Sequence, residues 1–169
     1  MRIKICFSIL ILLTLNSCFI QKGEIIDKKC RPKNPNFKLL RIPFKNTDKL
    51  IFNRIYTLNG LNKKGIGFYN DGRIILIDNY NYEKQNYELI TPFLVENKNW
   101  TNTKYIGYWR VENDLIKTEY FSCSNSGDYI KNQGKINGDT IFFERECSRT
   151  PFENKKCFDK FILSDLNFR

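Results

Sequence analysis

From residue 49 onward the chain is cut into strand-length pieces, in which apolar, β-branched and aromatic stretches alternate with short runs of Asn, Asp and Gly. The clearest unit is Phe68-Tyr69, the turn Asn70-Asp71-Gly72 and the stretch Arg73 to Asp78. Asp-Gly supplies the positive φ that a tight hairpin needs. Further units follow the same plan. Tyr105 to Val111 turns at Glu112-Asn113-Asp114 into Leu115 to Cys123, and a loop at Ser124 to Gly127 leads into Asp128 to Ile136. Asn137-Gly138-Asp139 then turns into Thr140 to Cys147, and a connection through Pro151 reaches Cys157 to Leu166. Such spacing predicts an all-β domain, a single antiparallel meander closing as a small barrel or sandwich.

Two stretches are less regular. Lys49 to Leu58 carries Leu50, Ile51, Ile55 and Leu58 at helical spacing. Its β-branched and aromatic content, closed by Asn59-Gly60, favours a strand. Residues 79–103 are long, aromatic and polar, with room for one short helix from Thr91-Pro92 to Asn97, since proline suits the first helical position.

The chain has no histidine, which removes Ser-His-Asp and Cys-His nucleophile systems. Of the carboxylates, Glu144 and Glu146 share one strand face opposite Ile141, Phe143 and Cys147, with Glu112 and Glu119 on a nearby hairpin. A carboxylate hydrolase would need two of them across a cleft of about 5 to 10 Å. No cluster of tryptophans accompanies them, and cross-strand pairing with lysines is the expectation. Gly65-Ile66-Gly67 lacks the third glycine of a phosphate-binding loop. No catalytic residues, metal or cofactor are therefore expected. The net charge is +10, from 28 basic and 18 acidic residues. The lysines are scattered, in a chain without alanine and rich in Asn, Ile, Phe and Tyr. A clustered basic face for nucleic acid is not expected, whereas attraction to anionic lipid headgroups is.

The first residues have a separate logic. Arg2 and Lys4 precede an apolar core from Ile5 to Leu15, about half of what a bilayer span requires. A charged start and a short core read as an export signal. The core ends in Leu15-Asn16-Ser17-Cys18, which resembles the lipobox of bacterial lipoproteins. The resemblance implies a signal peptide over residues 1–17, a diacylglyceryl group on the Cys18 thiol, and residence in the bacterial cell envelope, at the outer membrane. Loss of residues 1–17 removes Arg2 and Lys4 and no acid, leaving +8. Residues 18–36, polar with Pro32 and Pro35, read as a lipidated N-terminus and tether, and a bridge at Cys30 would pin part of it. The β domain is expected over 37–169.

The succession of Gly67-Phe68-Tyr69, Gly107-Tyr108-Trp109 and Gly134-Lys135-Ile136, each before a turn and a β-branched strand, resembles small bacterial lipoproteins with lipocalin-like β-meanders. The resemblance spans residues 49–163. Beside it, Gly67 and Gly107 also read simply as relief of crowding. Export makes disulfides the expectation for Cys30, Cys123, Cys147 and Cys157. Cys147 and Cys157 flank one connection and can staple its base, which leaves Cys30 for Cys123. Tyr69, Tyr80, Tyr82, Tyr87, Trp100 and Tyr105, in or beside the long middle segment, are candidates to line a ligand pocket or a protein-contact patch. The expected function is a non-enzymatic binding or interaction module held at a membrane, with an envelope protein as partner. The alternative is a carrier or sensor of a small apolar ligand.

Cys18→Ala is expected to abolish labelling by a palmitate probe and to release the protein from membranes; unchanged membrane retention would count against the anchor.

Overall fold

The computed structural model of the chain describes residues 22–61, 63–78, 80–81, 86–87, 100–112, 114–124, 127–146 and 156–168. A hairpin of β1 (Gly23–Ile26) and β2 (Lys29–Pro32) comes first. Then follow β3 (Arg54–Leu58), β4 (Lys64–Phe68), β5 (Arg73–Asp78), the two-residue strands β6 (Tyr80–Asn81) and β7 (Asn86–Tyr87), and β8 (Ile106–Glu112). The series ends with β9 (Leu115–Ser122), β10 (Asp128–Asn137), β11 (Thr140–Glu146) and β12 (Lys156–Asn167). Eight of these close a barrel in the order β3-β4-β5-β8-β9-β10-β11-β12, every pair antiparallel, with β12 returning to β3. The expected meander is present and it closes as a barrel, not as a sandwich.

Turn chemistry sets the hairpins. Asn59 and Gly60, Gly72, Asp114 and Gly138 all have positive φ at the strand junctions. Gly72 is needed twice over: at φ 88°, a Cβ there would also lie 2.8 Å from the Phe44 ring.

Period-two alternation then sorts the side chains. Tyr56 faces Ile66, Phe68 faces Ile74, Ile141 faces Phe161 and Leu163 faces Tyr56 across successive ladders, all pointing inward. The centre of this core is Trp109, fully buried. Phe44 and Phe68 meet its ring edge-on at centroid distances of 5.2 and 6.0 Å, and Phe52 stacks on it at 5.8 Å. Its indole N–H donates to the Tyr69 carbonyl at 2.9 Å, so the one polar atom of the side chain is satisfied. Phe44 and Phe52 come from the segment before β3. That segment lies over the barrel end that carries the β4–β5 and β8–β9 turns, where Lys49 pairs with Asp114. This end is packed shut.

Both flanks of the chain coat the outside of the barrel. Phe168 is buried with Ile55, Ile75 and Ile77, and its ring occupies the space where a Cβ on Gly67 would stand. On the other side Cys30, Phe37 and Phe121 form a cluster with Tyr108 and Tyr129, in which Phe37 meets these two tyrosines edge-on at 4.8 and 5.0 Å. The disulfide Cys30–Cys123 joins the flank to the end of β9. Arg110, 5% exposed, donates Nε to the Ile42 carbonyl at 2.9 Å and holds the flank further along.

The tether expected over 18–36 is therefore folded from residue 22: the β1–β2 hairpin and its disulfide belong to the body. Cys30 is the reason, because a bridged, buried cysteine pins the chain around it. Between Phe37 and Phe44, Lys38–Arg41 is a 3-10 turn whose Leu39 docks on the barrel wall. The glycine motif is not one structural repeat. Gly107 and Gly134 face the interior, paired with Ile74 and Phe143, while Gly67 pairs with Ile55 and Ile75 on the outer face. What they share is crowding: a Cβ on Gly107 would lie 2.7 Å from the Glu119 carbonyl oxygen. The short helix expected over 91–97 and Cys147 lie outside the described residues. Cys157 is disulfide-bonded, and its partner is outside them too.

Trp109→Ala should lower the unfolding free energy by about 3–5 kcal/mol, as removal of a buried aromatic does. Urea denaturation followed by far-UV circular dichroism measures it.

Candidate functional site

The end of the barrel opposite the Trp109 plug is its mouth. Strand polarity brings the start of β4 together with the ends of β5 and β9. A cavity of about 280 Å³ opens there, lined among the described residues by Leu76, Tyr120 and Phe161 from inside and by Lys64, Asp78 and Tyr105 at the rim. Asp78 Oδ2 lies 3.6 Å from Lys64 Nζ, whereas its Oδ1 is buried without a hydrogen-bond partner. Burial raises the Tyr120 phenol above the ordinary tyrosine value, and the nearby Tyr105 and Asp78 add to the rise.

Of the six aromatic candidates, the three whose side chains are described do not converge on this mouth. Tyr105 borders it, with its ring 6.1 Å from Tyr120. Tyr69 and Trp100 are on the outer wall, one on each side of Arg73, whose guanidinium carbon is 5.1 Å from both ring centroids. Arg73 Nε also donates to Asp71 at 2.7 Å, and the Trp100 indole donates to the Ile74 carbonyl at 2.8 Å. This stack seals the β5–β8 junction, where Arg73 pairs with Tyr108. Burial raises both Tyr69 and Tyr108, and the charge of Arg73 opposes the rise in each. Tyr80 and Tyr87 pair directly across β6–β7, but their side chains and Tyr82 lie outside the described residues.

The carboxylates are held apart by local partners. Glu112 pairs with Lys117, and Glu144 with Lys156. Glu119 is 1% exposed. Its Oε2 accepts the Leu39 backbone N–H at 2.8 Å, and its Oε1 lies 3.9 Å from Lys131 Nζ with no hydrogen bond. Glu119 is thus the barrel's hold on the 3-10 turn, beneath a groove of about 290 Å³ that Lys38, Lys117 and Lys131 border. The Glu146 side chain is not among the described ones. Among the described residues no group of three or more Cys, Asp or Glu is placed to hold a metal.

A larger concavity, about 570 Å³, lies on the outer face of β9 to β12. Leu115, Phe142 and Phe158 supply its apolar part, and Lys135, Glu144 and Lys156 its charged border. Phe158 is 61% exposed. The register explains the patch: Lys135 faces Leu115 on one side and Phe142 on the other, and Phe158 faces Glu144, all on the wall opposite the core. The sequence carried a signal for it. In Ile141-Phe142-Phe143 three apolar residues run consecutively, so the middle one must point away from the other two. Phe158 and Phe161, an odd spacing apart on one strand, must also face opposite ways.

Compared with known protein families, curated proteins and solved structures, the chain matches none. The class is therefore defined by architecture alone: a closed eight-stranded antiparallel barrel of lipocalin-like form, coated by its own flanks.

Tyr56, Tyr69, Tyr108 and Tyr120 all have raised phenol values, with burial the first cause in each. Their contribution to stability is complete below a pH of about 10 and is lost as pH climbs above it, because the unfolded phenols ionise first. Absorbance at 295 nm should show a late-ionising group of tyrosines, reduced in Tyr120→Phe, with stability falling over the same range.

Proposed function

We propose that the chain is a lipid-anchored protein of the bacterial cell envelope, attached through Cys18, whose barrel is a non-enzymatic interaction module. The partner contacts the outer face of β9 to β12. The observation that carries this reading is the 570 Å³ groove with Phe142 and a largely exposed Phe158 among lysines. Aromatic anchors inside a polar rim are the composition of protein contact sites. Lys135, on a lipidated chain of net charge +8, favours a partner that presents acidic groups around an apolar segment.

A second reading, a carrier of a small ligand, is favoured by the mouth. Leu76, Tyr120 and Phe161 suit an apolar body, and the unpartnered Asp78 Oδ1 suits a hydrogen-bond donor on it. At about 280 Å³ the cavity is at the small end of ligand pockets, and the interior beyond it is filled around Trp109.

A photo-crosslinking phenylalanine at Phe158, introduced in the native envelope, should give a discrete adduct that the same probe at exposed Leu61 does not. Equal patterns at both positions would remove the groove as the contact site. Recovery of a small molecule with the purified protein, lost in a Leu76→Trp variant, would favour the carrier instead.

A further inference from the structure

The β1–β2 hairpin has a composition its position does not explain. Ile25 and Ile26 are 69% and 51% exposed, at the tip of an otherwise well-seated element. Between residues 22 and 33 stand five basic residues and two acidic ones. Lys28 is exposed at the turn beside the isoleucines, and Lys22 and Lys33 are exposed at the base of the hairpin. The hairpin is not loosely attached. Cys30 is bridged to Cys123 and donates its N–H to the Lys104 carbonyl at 2.8 Å. Arg31 Nη2 donates to the Thr101 and Thr103 carbonyls at 2.7 and 2.9 Å. Gly23 rests against Phe121 and Gly127. Two large apolar side chains are thus presented rigidly, amid lysines.

We infer that this hairpin tip is a membrane-contact element that seats the barrel on an anionic bilayer surface. The inference rests on the reading of Cys18 as the lipidated residue. Four residues stand between Cys18 and Gly23, so the five chain steps reach at most about 18 Å. From Gly23 the strand β1 extends about 10 Å to the tip. The link is therefore long enough for the acyl anchor and the tip to lie at one level, and it keeps the hairpin base within about 18 Å of the anchor. Exposed isoleucines enter the headgroup–acyl boundary, and Lys22, Lys28 and Lys33 meet anionic headgroups, the combination by which one attachment is made firm by a second. The tip projects from the same end as the mouth, since Cys123 stands between Ser122 and Ser124 on its border. Seating the tip turns the mouth toward the bilayer and leaves the groove of β9 to β12 along the side.

The test uses the lipidated full-length product on the outside of vesicles, either phosphatidylcholine alone or with phosphatidylglycerol. A membrane-impermeant amine reagent is applied and sites are read by mass spectrometry. Lys28 labelling should fall about fivefold or more on the anionic vesicles relative to detergent, while the exposed Lys45, beside Phe44 at the plugged end, is unaffected. I25D/I26D, with the Cys30–Cys123 bridge verified intact, should restore Lys28 labelling although the protein still floats with the vesicles. Flotation with Lys28 labelled as fully as Lys45 would overturn the inference and leave the anchor standing. Lys28 protection that appears only when another envelope protein is added would overturn it in favour of a protein contact. Failure of the wild-type protein to float would sink the anchor itself, and the inference with it.

Discussion

The ladder between β12 and β3 is the contact on which the rest of this molecule depends. Leu163 opposite Tyr56 and Phe161 opposite Leu58 close the sheet on itself and leave no barrel strand with an open edge. Closure defines an inside and an outside, and from then on every side chain is assigned by parity. A slip of β12 by one residue would turn Phe161 and Leu163 outward together. Side chains reinforce the seam: Ser164 donates to the Ile55 carbonyl at 2.7 Å, and Arg54 donates to the Ser164 carbonyl and pairs with Asp165. A register shift between Leu163 and Asn167 follows, and past the strand the buried Phe168 reaches the outer cluster with Ile55, Ile75 and Ile77.

A small barrel filled by its own side chains has little freedom to evolve function inside. Trp109 and the rings of Phe44, Phe52 and Phe68 occupy one end of the interior, and a cavity opens at the other. The outer wall is where variety enters. The flanks cover β3 to β5 and β8 to β10, and Glu119 and Arg110, each nearly buried, use their polar atoms to hold the N-terminal flank there. Among the described residues, Phe158 stays largely exposed on the outer wall, with Phe142 beside it. An exposed aromatic bordered by charged side chains is the feature a binding role would use.

The elements that were legible in the sequence are those fixed by neighbours along the chain. Turns such as Asn70-Asp71-Gly72 and Asn137-Gly138-Asp139 need only local backbone geometry, so the hairpins they join could be read directly. The candidate sites were less legible. Tyr69, Trp100 and Tyr105 were grouped because they are near one another in sequence, yet a barrel wall separates outer-face Tyr69 and Trp100 from Tyr105 at the mouth. Glu119 was read as one of several solvent-face carboxylates, but the 3-10 turn that buries it is 80 residues away in the chain. Residues 18–36 read as a tether because they are polar and have two prolines; the Cys30–Cys123 bridge could be anticipated by elimination, but not that a hairpin would form around it.

By itself the sequence determined an all-β meander, the positions of its turns, and the absence of histidine chemistry, because each of these depends on composition or on residues a few places apart. Only the tertiary structure decided that the meander closes as a barrel, that Trp109 fills one end, that the flanks become coats, and which face keeps its aromatics exposed. Those outcomes depend on pairings across long stretches of chain, such as β12 with β3 and Cys30 with Cys123, where parity and packing in three dimensions choose between faces that look alike in one.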